Sequence, residues 1–136
     1  MKKMNPVVHF ELPAKDTKRM ADFYSKAFGW QPRFFGEEMG NYVTVSTVET
    51  GNDGRPSVAG AINGGLFPVG ENESNRHPSL VIAVDEIREA IQTINKSGGK
   101  VIGEPVMIPG VGEYVSFTDT EGNTMSILKP VMEERK

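Results

Sequence analysis

The chain of 136 residues contains no cysteine. This absence excludes a disulfide scaffold, a thiolate nucleophile, a zinc site with cysteine ligands and an iron–sulfur cluster. With only two histidines in the sequence, any metal site would have to combine histidine with carboxylate or backbone ligands. The catalytic and metal-binding chemistry open to this chain is therefore narrow.

Long hydrophobic runs and an excess of positive charge are missing as well. The longest apolar run is 80–84, and the start of the chain passes into a polar stretch, so we expect no signal peptide and no membrane span. The 15 Lys and Arg residues stand against 18 Asp and Glu residues, a net charge of −3, which gives no general attraction to nucleic acid or to an anionic membrane. We expect a cytoplasmic protein without nucleic-acid or membrane partners.

The first half of the chain is predicted to have the element order βαβββ. Apolar and polar residues alternate over 7–12, which predicts a strand with His9 and Glu11 on one face. Asp16 is the predicted N-cap of a helix that Gly29 ends, and the spacing of Phe23, Tyr24 and Phe28 predicts that they are core residues. Further strands are predicted over 30–35, 41–48 and 58–66.

The same order is predicted again after a polar segment. An alternating strand at 80–84 precedes a helix with Asp85 as its predicted N-cap and the pair Gly98-Gly99 at its end. The capping Asp precedes the terminating Gly by thirteen residues in both halves, which indicates a duplicated module. The remaining predicted strands are 100–102, 114–119 and 124–129.

The predicted fold class is α+β, with two tandem βαβββ modules. We expect one domain over 1–136, made of module 1 at about 5–67, a linker at 68–78, module 2 at about 79–130 and a tail at 131–136. Each module has one helix to cover its sheet, so the sheets would pair edge to edge and leave a concave polar face. A ligand cavity is expected on that face.

Two segments of the first half form recognisable motifs: residues 7–16 (Val-Val-His-Phe-Glu-Leu-Pro-Ala-Lys-Asp) and 22–30 (Asp-Phe-Tyr-Ser-Lys-Ala-Phe-Gly-Trp). They resemble the opening of the vicinal oxygen chelate superfamily, which groups glyoxalases, bleomycin resistance proteins and dioxygenases. The resemblance is closest to a branch of glyoxalase-related predicted enzymes, and it implies a cupped, partly open barrel, a homodimer and, in many members, a divalent metal. Second-half segments at 84–91, 97–101, 108–112 and 117–124 follow in the family's order.

The metal ligands that the resemblance implies can be carried over by position. His9 stands seven residues before Asp16, at the place of the first histidine ligand. The equivalent place in the second half is Ser79, and the glutamate of the final strand falls on Ser126. The remaining ligand would fall near 62–64, where Asn63 is the polar side chain. One ligand of four is kept, so we predict no metal centre and no cofactor.

His9, Glu11 and Glu113 are the candidate catalytic residues. His9 could act as an acid, a base or a hydrogen-bond donor, and a structural histidine inside the barrel is equally consistent with the pattern. Glu11 shares its face and could orient the imidazole, or it could be a solvated strand-end residue. Glu113 follows a Gly-rich loop that could close over the cavity mouth. His77, in the polar linker, is interpreted as an exposed loop histidine.

Aromatic and polar side chains are the candidate ligand-binding residues. The aromatic members could line a pocket for an apolar or planar ligand, although core or dimer contacts are the alternative interpretation. The polar members occupy the positions that would carry metal ligands. The set is Trp30, Phe34, Tyr42, Asn63, Ser79, Tyr114 and Ser126.

Three functions follow from these patterns. The first is a protein that binds a small molecule in the cleft without the usual divalent metal. The second is an enzyme that works without that metal, or a metal-dependent lyase, isomerase or dioxygenase with a rebuilt site including His9. The third is an interaction module that uses the fold only to dimerise. Fold resemblance does not choose among them, because function lies in the site.

Overall fold

The structure is a computed structural model, and it describes residues 3–53, 55–70, 77–108 and 111–131. The chain divides into two compact units. His9–Pro78 form one, here called the N-terminal unit, and Met1–Val8 with Ser79–Lys136 form the other, here called the C-terminal unit. Part of the expected linker, 71–76, and most of the expected tail, 132–136, lie outside the described residues.

The N-terminal unit holds four strands and one α-helix in the order βαβββ. The elements are β1 Val7–Ala14, whose first two residues belong to the other unit, α1 Thr17–Phe28, β2 Gln31–Phe34, β3 Val43–Ser46 and β4 Asn63–Pro68. The strands lie in the order β2-β3-β4-β1. Strands β1 and β4 are parallel, and the other neighbours are antiparallel. A 3-10 helix, Glu37–Met39, lies between β2 and β3.

Helix α1 begins and ends where the sequence predicts. The Asp16 side chain accepts a hydrogen bond of 3.0 Å from the Arg19 backbone N–H, which satisfies a donor that has no partner within the helix. Gly29 follows in the left-handed conformation at φ 76°, and its N–H donates to the Ser25 carbonyl at 2.9 Å.

The N-terminal core lies between α1 and one face of the sheet. Ala21, Val43, Val45 and Leu66 are its fully buried members. The prediction that Phe23 and Phe28 are core residues is wrong, since they are 56% and 64% exposed. The helix turns Met20 and Ala21 towards the strands, while the rings of Phe23, Tyr24 and Phe28 pack on one another outside the core.

The fourth strand of this unit starts later than predicted. Residues 58–62 are not part of it, because a turn with Gly60 at φ 86° precedes the strand. Val58 is 55% exposed there. His77 is exposed, as its place in a polar segment indicates.

The C-terminal unit repeats the βαβββ order, so the predicted α+β class and the tandem modules are confirmed. The elements are β5 Ser79–Ala83, α2 Ile87–Lys96, β6 Lys100–Ile108, β7 Gly112–Thr118 and β8 Thr124–Pro130. The strands lie in the order β5-β8-β7-β6, with β5 and β8 parallel and the other neighbours antiparallel. Neither α-helix meets the length and hydropathy required of a membrane-crossing helix, within the described residues.

The predicted cap of α2 is wrong by one residue. Glu86 is the N-cap, and its side chain makes no capping hydrogen bond. The Asp85 carboxylate instead forms an exposed ion pair with the Lys3 ammonium group at 2.7 Å. Glu86 follows Asp16 by 70 residues, and the same offset relates the core-facing pairs Met20 with Ala90 and Ala21 with Ile91. The two helices therefore bury equivalent faces.

The turn between β7 and β8 is built around Asp119. One carboxylate oxygen accepts the backbone N–H groups of Glu121 and Asn123, and the other accepts the side-chain amide of Asn123, all at 2.9 Å. The Asn123 side-chain hydrogen bond, followed by the backbone ones, lowers the pKa of Asp119 from its usual value.

Leu66→Ala should destabilise the protein by about 2–5 kcal/mol, because Leu66 is fully buried and its truncation leaves a cavity. Leu80→Ala is the matched control, since Leu80 is 40% exposed in β5; its cost should stay within about 1 kcal/mol. Urea unfolding of the full chain measures both. Equal losses in the two variants would contradict the assignment of Leu66 to the core.

Asp119→Ala should lower stability at pH 7, with a pH dependence of defined sign. The pKa of Asp119 is lower in the folded than in the unfolded chain, so its ionised form stabilises the fold above the unfolded value of about 3.9. This contribution is lost as the pH falls through the lower, folded-state pKa. Thermal unfolding between pH 2 and 7 should show the parent and variant curves converging at the acid end.

The control for this experiment is Glu121→Ala, which removes an exposed carboxylate from the same turn and keeps the backbone N–H that Asp119 accepts. At pH 7 the loss of thermal stability in this variant should be smaller than the loss in Asp119→Ala. A stability difference between Asp119→Ala and the parent that increases on acidification would refute the role of the Asp119 charge.

Candidate functional site

Strand β1 separates an apolar face from a polar one. Phe10 and Leu12 pack against the core beneath α1, and side chains alternate along a strand, so His9 and Glu11 lie on the opposite face. On that face His9 pairs with Asn63, and Glu11 pairs with Gly65. The predicted common face of His9 and Glu11 is present in the structure.

His9, Glu11 and Tyr42 form a triangle of polar atoms. The Tyr42 hydroxyl donates to Glu11 Oε2 at 2.8 Å. His9 Nε2 lies 3.0 Å from the same carboxylate oxygen and 3.0 Å from the Tyr42 oxygen. The side chain of Glu11 is 10% exposed and that of His9 is 27% exposed. A nearly buried carboxylate is thus held between a phenol and an imidazole.

Gly65 makes this triangle sterically feasible. A Cβ atom at Gly65 would clash with the Tyr42 hydroxyl. The missing side chain lets the phenol ring lie against β4 and reach Glu11, the residue paired with Gly65. A glycine inside a strand often marks such a close approach. The local sequence pattern does not indicate this role of Gly65, because the clash depends on a residue of another segment.

The triangle determines which nitrogen of His9 carries the proton in the neutral imidazole. Tyr42 has one hydroxyl proton and donates it to Glu11. The Tyr42 oxygen can then only accept from Nε2, and the nearby carboxylate oxygen of Glu11 also only accepts, so Nε2 carries the proton. Nδ1 then keeps a lone pair. This arrangement can accept a hydrogen bond, or a proton, at Nδ1, while Glu11 stabilises the resulting imidazolium.

Asn63 has a structural role next to the triangle. Its Oδ1 accepts hydrogen bonds from the Thr47 backbone N–H at 2.8 Å and from the Thr47 hydroxyl at 3.4 Å. The Thr47 hydroxyl also donates to the Ile62 carbonyl at 2.7 Å. Asn63 thereby joins the end of β3 to the start of β4.

The C-terminal unit contains a second polar cluster of different composition. Ser126 is 1% exposed. Its hydroxyl donates to the Tyr114 oxygen at 2.7 Å and lies 3.1 Å from the Ser116 hydroxyl. Glu113 alternates with Tyr114 along β7, so it lies on the face of Val115, which packs beneath α2. Glu113 is therefore not part of this cluster.

Strand register corrects one of the four metal-ligand positions that the family resemblance implies. Glu11 pairs with Gly65 in the first unit, and Val81 pairs with Ser126 in the second. Since Glu11 and Val81 are related by the 70-residue offset, the counterpart of Ser126 is Gly65. The expected position at 62–64 was wrong because β4 is paired further along than the sequence pattern indicated.

The residues at the family's four ligand positions do not fit a divalent metal. They are His9, Gly65, Ser79, which begins β5, and Ser126, whose hydroxyl is bonded to Tyr114. Glu11 lies beside His9, but its Oε2 already accepts Tyr42. Within the described residues no group of three or more His, Asp or Glu side chains could hold a metal. Two donors are fewer than a transition-metal site requires.

Trp30 and Phe34 lie away from the polar face. Trp30 stacks on Tyr24 at 4.6 Å between ring centroids and packs against the N-terminal core. Phe34 borders an open cavity of about 520 Å³ between α1 and β2. The triangle residues are not among those that line this cavity, which include Asp16, Lys18, Arg19, Asp22 and Ser25.

Two relatives of known sequence match most of this chain. A glyoxylase-like domain-containing protein of Didymella fabae is 31% identical over 120 residues, which are 86% of this chain and 88% of that protein. The anthracycline biosynthesis protein DnrV of Streptomyces peucetius is 28% identical over 134 residues, 91% of this chain. The chain spans about half, 47%, of the length of DnrV.

Solved structures share the fold at low sequence identity. A hypothetical protein of Bacillus halodurans C-125 matches with a TM-score of 0.71 and 16% identity, over 98% of this chain and 100% of that one. A methylmalonyl-CoA epimerase variant of Streptomyces coelicolor, in complex with 2-nitronate-propionyl-CoA, matches with a TM-score of 0.69 and 15% identity, over 96% and 100%. A family model matches residues 7–127. The chain belongs to the Glyoxalase/Bleomycin resistance protein/Dioxygenase superfamily.

Proposed function

We propose that this protein binds a small molecule on the polar face of its N-terminal unit, at His9, Glu11 and Tyr42. The triangle of these side chains carries the proposal. Taking a carboxylate out of water costs stability, even when a phenol and an imidazole compensate for part of the loss. A cluster of this kind on a face that does not build the core is typical of a binding site.

The ligand is expected to bind without a divalent metal centre. The donor set carries this part of the proposal, since His9 and Glu11 are the two ligating side chains that the triangle supplies. The runner-up function is a metal-dependent lyase, isomerase or dioxygenase with a rebuilt site including His9. It would require ligands beyond this pair.

The comparisons support a small-molecule ligand. Structures of the same fold hold coenzyme A esters, among them a methylmalonyl-CoA epimerase with methylmalonyl-CoA. A homodimer and a cytoplasmic location remain predictions from the family resemblance and from the sequence.

Proton transfer to or from the bound molecule is the second candidate function. The observation that favours it is the distance of 3.0 Å between Glu11 Oε2 and His9 Nε2. A carboxylate in this position stabilises the imidazolium that forms when Nδ1 takes up a proton, and it holds the ring in one orientation.

The purified, untagged protein should contain less than about 0.1 equivalent of Zn, Ni, Mn or Fe by plasma mass spectrometry, because one imidazole and one engaged carboxylate bind such ions weakly. His9→Ala, prepared in parallel, shows whether any metal found belongs to this site. Near-stoichiometric metal that disappears in His9→Ala would replace the binding proposal with the runner-up function.

A thermal-shift screen of small polar and aromatic metabolites should find compounds that raise the Tm. A ligand at 100 times its Kd adds about 2.7 kcal/mol of stability. The shift should be lost in His9→Ala and kept in His77→Ala, which removes the exposed histidine of the same unit. For the hits, NMR in deuterated water detects proton transfer as deuterium exchange that His9→Ala abolishes.

Two results of this screen would count against the proposed function. One is a Tm shift that survives in His9→Ala and in Tyr42→Phe, which would place the ligand elsewhere. The other is the absence of any shift across the screen. Circular dichroism of each variant establishes that it is folded before the comparison is made.

A further inference from the structure

Glu11 is a buried carboxylate without a permanently charged partner. The other side-chain ion pairs of the described residues join Asp or Glu to Lys and are well exposed, such as Lys3 with Asp85 and Lys26 with Asp22. Glu11, at 7% exposure, pairs with His9, and within the described part of the chain no Lys or Arg reaches it. With a neutral imidazole the site therefore carries one net negative charge.

The atoms of the triangle that remain available are hydrogen-bond acceptors. Glu11 Oε2 and His9 Nε2 are used within the triangle, and Tyr42 donates its proton to Glu11. Glu11 Oε1 and His9 Nδ1 have no partner among the residues that the structure describes. No buried side-chain nitrogen or oxygen of these residues lacks a partner, so both atoms are accessible to solvent. The site offers two acceptors and a negative charge.

We infer that the site takes the cationic head of an organic ligand that carries at least two N–H donors, such as an amidinium, a guanidinium or an ammonium group. This inference rests on the proposed binding function and specifies its ligand class. One N–H donates to Glu11 Oε1 and another to His9 Nδ1. A charge-assisted hydrogen bond to a nearly buried carboxylate is stronger than a neutral one, whereas an anion at the same place is repelled.

The test compares three probes with one ring and different head groups: benzamidinium, benzamide and benzoate. They are titrated into the protein at pH 8. The readout is the ring resonances of the two histidines, assigned with His77→Ala. Benzamidinium should shift the His9 resonances and bind at least about ten-fold more tightly than benzamide or benzoate, a difference of about 1.4 kcal/mol.

A matched pair of variants tests the role of the carboxylate. Glu11→Gln removes the charge and keeps the shape, so the Kd for benzamidinium should rise at least about ten-fold. Glu37→Gln removes an exposed carboxylate of the 3-10 helix in the same unit and should leave that Kd unchanged. The comparison of probes in the unaltered protein stands even if Glu11→Gln does not fold.

The inference is overturned if benzoate or benzamide binds at the His9 resonances as tightly as benzamidinium, although the proposed binding function then survives. It is also overturned if benzamidinium binds equally well to folded Glu11→Gln. Failure of all three probes at millimolar concentration rejects the cationic ligand class, while the proposed function is decided separately by the screen above.

Discussion

The carboxylate of Glu11 constrains the polar face of the N-terminal unit more than any other group. It lies on a strand whose alternate residues build the core, so it cannot leave the sheet without moving Phe10 and Leu12. An ionised group in such a place requires donors nearby. Tyr42 and His9 supply them at 2.8 and 3.0 Å, and Gly65 leaves the space that the phenol needs. His9 on β1, Gly65 on β4 and Tyr42, which directly precedes β3, thus depend on one charge.

The two units show how a duplicated module can diverge at equivalent positions. Thr44 pairs with Gly65 in the first unit, and Ser116 pairs with Ser126 in the second. Each is preceded two positions earlier by a tyrosine, Tyr42 or Tyr114. The Tyr42 side chain lies against Gly65 and donates to the Glu11 carboxylate, whereas the Tyr114 oxygen accepts from the Ser126 hydroxyl. The same backbone arrangement therefore supports a charged cluster in one unit and a neutral one in the other.

Much of the fold could be predicted from local patterns. Alternation placed His9 and Glu11 on one face of β1, and the Asp16 cap and Gly29 stop delimited α1, because these signals act over a few residues. Errors arose where two residues compete locally. Asp85 is a favoured N-cap residue type, but α2 begins at Ile87 and its N-cap is the neighbouring Glu86, which makes no side-chain capping bond. Phe23 and Phe28 had apolar spacing, but Met20 and Ala21 occupy the face that meets the sheet.

The sequence by itself determined the α+β class, the repeated βαβββ order, the lack of cysteine chemistry and the pairing of His9 with Glu11 on one face. Each of these depends on residue type or on short-range periodicity. Only the tertiary structure decided that Tyr42 joins them, since Tyr42 lies 31 residues from Glu11 and meets it through the pairing of β3 with β4 and of β4 with β1. Strand register is set by long-range packing, and a shift of one residue would turn these side chains to the opposite face. For this reason the site could be suspected from the sequence, while its hydrogen bonds and its exposed acceptors required the fold.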